Sequence, residues 1–279
     1  MEERTVIAGF DLGNEYSQIC YFDDNKCMPV CIGKNEDEMF IPTVLGLKDT
    51  GEWLCGRDAL AFHEAGRCSL INDFILALEN DTPVYVDEKE IMPELLLVTF
   101  FKKTLFKLKE YEPNRSIKKI VVTVERLSER LAEYIYLALE AMGIGRTRVV
   151  VLSYKQCYLH YVLSHSSELW VNDVGMFDFG YRGLKYYQIT VDRQRTPYIV
   201  GITERDYSES MNMSMLNTQK DKDSLCYIFE NIVQNAVHRQ ILSALYMPDV
   251  ICTLREHVTP QEKVKDLAIC PTLYLLMRI

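Results

Sequence analysis

The sequence predicts an α/β fold made of two related halves, and three observations indicate it. Apolar strands alternate with amphipathic helices between residues 93 and 164, an order that favours a mixed sheet covered by helices. A strand that ends in Asp-x-Gly and returns at once as a second strand occurs at Asp11-Leu12-Gly13. The same arrangement recurs at Asp178-Phe179-Gly180, which indicates an internal duplication.

Composition and charge narrow the classes of function. The 279 residues are 48% hydrophobic and 25% charged, enough for two domains with a sizeable core. The formal charge of −9 argues against a general affinity for nucleic acid. No apolar run approaches the roughly 18 residues of a spanning helix. The nine cysteines form no disulfide framework, and MEERTV is not a secretory signal, so we expect a cytoplasmic protein without a membrane span.

The first hairpin offers a candidate binding tip. Val6 to Phe10 reads as a buried strand, Tyr16 to Phe22 as its partner, and Cys27 to Ile32 as a third strand. The turn between the first two can hold a hydrated divalent cation through Asp11, while its backbone amides at Gly13 and Asn14 face a phosphate. The alternative is that Asp-x-Gly only forms a turn.

The following segment contains shorter elements. A polar turn is expected at Gly33 to Glu38, then a strand pair at Phe40 to Leu47 and Glu52 to Gly56. Residues 67–92 are interpreted as a small insertion.

A helix is predicted to begin at Pro93 and to end before Pro113. Its apolar side is expected to comprise Leu95, Leu96, Val98, Phe101, Leu105 and Leu108. Its basic flank comprises Lys102, Lys103, Lys107 and Lys109. Such a flank is either a solvated face or an anion or membrane site, and in an acidic chain we favour the solvated face.

Strand and helix then alternate. Lys119 to Val124 is a β-branched strand, followed by a helix that Ser128 caps and Gly143 ends. Arg148 to Leu152 is the next strand, and a further helix runs to about Ser164.

The second half begins with another three strands. These are Val174 to Gly180, Leu184 to Asp192 and Tyr198 to Ile202. A polar loop (Glu204 to Asp223), a long helix (Ser224 to Met247) and a strand (Thr272 to Met277) are expected to follow.

The first hairpin resembles a known phosphate loop. Gly9-Phe10-Asp11-Leu12-Gly13, with Tyr16-Ser17, is similar to that of the actin, hexokinase and heat-shock-seventy superfamily, most of all to a bacterial DnaK-like chaperone. Ile41-Pro42-Thr43-Val44 and Gly56-Arg57-Asp58-Ala59 resemble a second chaperone segment. The resemblance implies two ribonuclease H-like lobes, residues 1–166 and 167–279. The second lobe would be incomplete, because the chain stops before the adenosine-binding segment.

The resemblance also implies ATP and Mg²⁺ between the lobes. Asp11 and Asp178 would hold the metal through water. The phosphates would be lined by Gly13, Asn14, Ser17, Gly180 and Arg182.

Three departures from the chaperone pattern lower the expected activity. Glu15 replaces a small hydroxyl residue, and Tyr181 and Arg182 replace glycines that let backbone approach phosphate, although Arg182 can itself bind one. Ser153-Tyr154 replaces a Glu-Pro pair whose acid positions the attacking water. We expect an ATP-binding, chaperone-like conformational switch with weak or absent hydrolysis. The alternatives are a non-enzymatic scaffold that binds a protein partner and, third, an actin-like filament former.

Overall fold

The computed structural model describes residues 4–23, 28–86, 88–113, 115–164, 174–180, 183–192, 194 and 199–206. Within them the protein is mixed α/β, as predicted. The chain divides into two compact units, residues 1–154 and 155–279. The predicted division into lobes at residue 166 stays a prediction. The helix and strand predicted after residue 223 lie outside the described residues.

The first unit is built on a mixed sheet with the N-terminal strand at its centre. Its main strands are β1 (Arg4–Asp11), β2 (Tyr16–Asp23), β3 (Met28–Cys31), β4 (Ile41–Pro42), β10 (Arg115–Val124) and β11 (Val149–Ser153). The order is β11-β10-β1-β2-β3, with β4 also paired to β2. β1 is parallel to β10 and antiparallel to β2, so the predicted hairpin and mixed sheet are confirmed. The carboxyl ends of three parallel strands, β1, β10 and β11, therefore lie at one edge.

Five helices accompany this sheet: α1 (Glu36–Met39), α2 (Arg57–Glu64), α3 (Phe74–Asn80), α4 (Pro93–Tyr111) and α5 (Glu129–Glu140). The predicted start of α4 at Pro93 is confirmed, but its apolar side differs from the prediction. Phe100 and Phe101 pack edge-on against Phe10, with ring centroids 6.3 and 4.9 Å apart. This contact fixes the rotation of the helix, so Leu97 is buried whereas Leu95 is 52% exposed.

The segment between β3 and α4 contains more structure than predicted. The expected polar turn ends in the short helix α1, which Asn35 caps by accepting a hydrogen bond from the Glu38 amide at 2.9 Å. The strand expected at Phe40 to Leu47 is divided, because β4 pairs with β2 and the following β5 pairs elsewhere. A small sheet runs in the order β6-β5-β7, formed by β5 (Leu45–Leu47), β6 (Trp53–Cys55) and β7 (Ser69–Ile71).

Residues 67–92 contribute to the same core. They contain β7, α3 and the hairpin of β8 (Val84–Val86) and β9 (Lys89–Ile91). Phe74 and Ile75 of α3 are buried in the hydrophobic cluster that also holds Phe10 and Phe100. Their interpretation as an insertion stays a prediction.

Helix α5 follows its prediction closely. Ser128 Oγ accepts a hydrogen bond from the Leu131 amide at 3.1 Å, which satisfies a donor at the helix start. Leu131, Ile135 and Leu139 are buried, as their helical spacing predicts. A 3₁₀ turn, Arg146–Arg148, then leads into β11.

The described part of the second unit contains an antiparallel sheet. α6 (Tyr154–Ser164) begins at the last residue of the first unit, and β12 (Val174–Gly180), β13 (Gly183–Asp192) and β14 (Ile199–Asp206) follow. The sheet order β12-β13-β14 confirms the second three-stranded prediction, although β14 continues into the expected loop. Tyr158 of α6 packs on Tyr187 of β13, with ring centroids 5.1 Å apart. None of the described helices has the length and apolarity to cross a membrane.

Candidate functional site

Asp11 is the last residue of β1 and lies at the edge where the parallel strands end. It pairs with Gln18 of β2 on one side and with Thr123 of β10 on the other. Thr123 Oγ1 donates a hydrogen bond to Asp11 Oδ1 at 2.9 Å, and the Leu12 amide donates to the Thr123 carbonyl at 2.9 Å. The carboxylate is therefore held by a side chain of the neighbouring strand β10.

The surroundings of Asp11 alter its ionisation. Burial raises its pKa from 3.8 to about 6, because the charged form loses water. Hydrogen bonds from the side chains of Tyr154 and Thr123 oppose this rise, in that order. The residue as a whole is partly exposed at the turn. Both of these donors are neutral hydroxyl groups, so neither compensates the negative charge of the ionised Asp11 carboxylate.

Tyr154 lies over the turn between the first two strands. It follows β11 directly, and its hydroxyl contacts the Asp11 carboxylate. The hydroxyl is also 3.7 Å from the position that a Cβ at Gly13 would occupy. From the sequence, Ser153-Tyr154 was interpreted only as the loss of an acid, and the contact of this tyrosine with Asp11 was not predicted. Its position was the signal that could have indicated this contact. Tyr154 directly follows β11, which ends beside β10 at the edge of the sheet where Asp11 lies.

Gly13 is required by the geometry of the turn. A Cβ on Gly13 would lie 2.2 Å from the carbonyl oxygen of Tyr16, a distance that no side chain tolerates. Glu15 is exposed, and its backbone carbonyl accepts a hydrogen bond from the Thr43 amide at 2.7 Å. Burial, and then the Glu15 carboxylate, raise the pKa of Tyr16, while Arg57 opposes them. The negative charge of Glu15 thus affects the ionisation of Tyr16 in the same hairpin.

Ser17, a predicted phosphate ligand, is directed into the protein. It is fully buried, and its hydroxyl lies 2.8 Å from Thr43 Oγ1 in a hydrogen bond. This bond joins β2 to the segment that follows β4. Binding phosphate through Ser17 would require this buried pair to separate.

The second hairpin repeats the register of the first, although its strands stay paired for two residues beyond the aspartate. Asp11 lies opposite Gln18 and Asp178 opposite Lys185, so each aspartate pairs with the residue seven positions further on. Asp178 and Lys185 are buried, and directly opposed residues share a face of the sheet. Gly180 pairs with Gly183 at the turn, while Tyr181 and Arg182 lie outside the described residues. The second aspartate therefore has a cationic side chain at the position of Gln18.

The two hairpins belong to different units, and the expectation that their tips face one another stays a prediction. Within the described residues, no group of three or more histidine, cysteine, aspartate or glutamate side chains could hold a metal ion. A cation at the first tip would therefore have Asp11 as its protein carboxylate and water as most of its shell.

Comparison of the sequence with models of protein families gives a match to one family. A model described as "Family of unknown function (DUF5716) C-terminal" matches residues 26–248. The chain belongs to this family. The matched segment of this family member includes the Asp178 hairpin and begins after the Asp11 hairpin. No curated protein matches the chain.

Proposed function

We propose that this protein is an actin-like, ATP-binding conformational switch with slow or absent hydrolysis. One observation carries the proposal. Asp11 and Asp178 each pair with the residue seven positions further on, so the two hairpins have the same register. The main sheet of the first unit also supports a ribonuclease H-like lobe, because its order is β3-β2-β1-β10-β11, with α4 directly before β10 and α5 between β10 and β11. Such a lobe would present its functional residues at the edge where Asp11 lies.

The first tip would bind the phosphates of Mg·ATP. Magnesium, when bound, would screen the phosphate charges. Asp11 would accept hydrogen bonds from the water shell of the cation, and the amides of Gly13 and Asn14 would face phosphate oxygens. Tyr154 would compete with this water shell, because its hydroxyl already donates to Asp11. Because Tyr154 is the first residue of α6, its release would couple binding to a movement at the start of that helix.

The residues at the end of β11 are the reason that we expect weak hydrolysis. Ser153 ends the strand, and neither it nor Tyr154 can take a proton from an attacking water as a carboxylate would. Phosphoryl transfer depends on positioning that nucleophile. The expected result is binding with little turnover.

A second candidate is a non-enzymatic scaffold that binds a protein partner. The observation that favours it is that the polar groups of the site already face one another. Thr123 and Tyr154 contact Asp11, Thr43 contacts Ser17, and Lys185 lies opposite Asp178. A hairpin tip whose hydrogen-bond acceptors are already paired with donors of the same chain is stable without a ligand.

Thermal unfolding with Mg·ATP separates the two functions. At about 1 mM ligand and a millimolar Kd, binding stabilises the native state by only about 0.4 kcal/mol. Tyr154→Phe removes the hydroxyl that competes for Asp11, so we expect it to increase the Mg·ATP-dependent shift in Tm. Tyr85→Phe, at a tyrosine that is 62% exposed, is the matched control.

The shift in Tyr154→Phe should disappear when Asp11→Ala or Asp178→Ala is added. Circular dichroism checks that each variant is folded. If no variant responds to Mg·ATP, the nucleotide switch is wrong and the scaffold is favoured. Turnover near about 1 s⁻¹ that is lost in Asp11→Asn would instead identify an ordinary enzyme.

A further inference from the structure

A groove lies at the end of the first sheet opposite to Asp11. It occupies about 400 Å³ between the second half of α4, the first residues of β10 and the segment after α5, and Val6 of β1 lines its floor. Val6 precedes Asp11 by five residues of an extended strand, roughly 16 Å. The groove is therefore separate from the candidate phosphate site.

The floor of the groove is apolar. Val6, Leu105 and Ile144 are buried beneath it, with 4%, 4% and 7% of their surface exposed. Phe106 stands at its edge with 61% of its surface exposed, which is unusual for so large an apolar side chain. This combination provides a place for an apolar group of a ligand.

The rim of the groove is basic. Lys102 and Lys109 are exposed, and neither makes an ion pair with any residue that the structure describes. Together with Phe106 they follow one face of α4, because positions i, i+4 and i+7 of a helix lie on the same side. The helix thus presents a lysine, a phenylalanine and a second lysine along one edge.

Two arginines complete the rim. Arg148 donates a hydrogen bond to the Ile117 carbonyl at 3.2 Å and another to the Gly143 carbonyl, so it is fixed in place by groups without charge. Arg115 contacts Glu112 at 3.1 Å. Four basic residues and one acidic residue line the groove, which gives it a charge of +3 in a chain of −9.

We propose that this groove binds an acidic peptide segment of a partner protein, with acidic residues on both sides of a large apolar residue. Charge complementarity selects an anionic ligand, and the lysine-phenylalanine-lysine edge selects one with an apolar centre. The two lysines are about 10 Å apart along the helix, a span that about three residues of extended peptide cover. A peptide reaches into a concave groove, whereas a flat membrane surface does not. Lys102 and Lys109 of the predicted basic flank thus contact the peptide as well as solvent.

Fluorescence anisotropy tests this binding. The probe is a fluorescein-labelled peptide in which glutamates flank one phenylalanine, and its counterpart carries glutamines in place of the glutamates. We expect saturable binding of the acidic peptide, with affinity that falls as salt is added, and at least tenfold weaker binding of the glutamine peptide. Lys102→Glu combined with Lys109→Glu should also weaken binding at least tenfold.

The matched control is Lys118→Glu combined with Lys119→Glu. Both of these lysines are exposed on β10, outside the groove, and the control changes the net charge equally. We expect it to retain binding within about twofold, and Phe106→Ser to reduce binding without a change in charge. Equal losses in the two double variants would overturn the proposal, as would no binding by the native chain. Binding to phosphatidylserine vesicles but not to the peptide would also overturn it.

Discussion

At the scale of single residues, the chemistry of the first unit centres on one carboxyl group. Asp11 closes the central strand, and burial raises its pKa to about 6 while two hydroxyl groups donate to it. A carboxyl in that range ionises close to neutral pH. Its environment therefore makes the charge of the tip respond to modest changes of pH.

The raised pKa of Asp11 has a consequence for stability. The folded-state pKa of about 6 exceeds the unfolded value of 3.8, so the native chain binds this proton more tightly than the unfolded chain does. The resulting stabilisation is complete below about pH 4 and is lost as pH rises through about 6. We expect Asp11→Asn, which resembles the protonated form, to be more stable than the native chain at pH 7 by about 2 kcal/mol, discounted for solvent contact. The difference should approach zero near pH 4.

Urea unfolding at both pH values measures this effect. Asp49→Asn, in an exposed turn, is the matched control and should change stability by the same amount at both. A constant offset for Asp11→Asn would show that the carboxyl has an ordinary pKa.

The contacts of Asp11 also explain which site residues could be predicted. The aspartate and glycine of the tip were predictable, because local turn chemistry fixes them. Thr123 and Tyr154 were not, since they come from elements far along the chain; Thr123 is 112 residues from its partner. The Ser17–Thr43 pair spans 26 residues and joins β2 to the segment after β4, a contact that no local pattern specifies.

At the scale of elements, the first hairpin depends on the close approach of its own backbone. Gly13→Ala would place a methyl group 2.2 Å from the Tyr16 carbonyl oxygen, so the turn would have to open. We expect a loss of more than about 2 kcal/mol in the free energy of unfolding. Gly145→Ala is the control, because nothing lies within 4 Å of its Cβ position. Denaturant unfolding of both variants checks this, and equal stabilities would show that the turn adapts.

The elements differ in how well their own sequences predict them, and the difference has a physical reason. α5 and the strands of both hairpins have strong periodicity and clear ends, and they were predicted. α2 and α3 are short, and tertiary packing decides their conformation; Phe74 and Ile75 fold as helix against the core rather than by propensity. Leu95 was expected inside, but the aromatic contacts of Phe10 rotate α4 away from it.

At the scale of the whole molecule, the two compact units should respond separately to damage. Phe100→Ala removes a fully buried ring of the first unit and should cost about 3–5 kcal/mol there. We expect hydrogen exchange to accelerate in β1 and β10 but not in β13. The reciprocal variant Ile189→Ala, also fully buried, should accelerate exchange in β13 alone. Equal acceleration in both units would show that they unfold as one.

The central position of β1 also governs how the chain emerges from a ribosome. Its antiparallel partner β2 follows within a few residues, but its parallel partner β10 begins only at Arg115. At about 5–20 residues per second, the second edge of β1 stays unpaired for roughly 5–20 s during synthesis. An unpaired edge that carries Val6, Ala8 and Phe10 is a template for association with another nascent chain. β1 is thus paired on both sides only after about 100 further residues have been made.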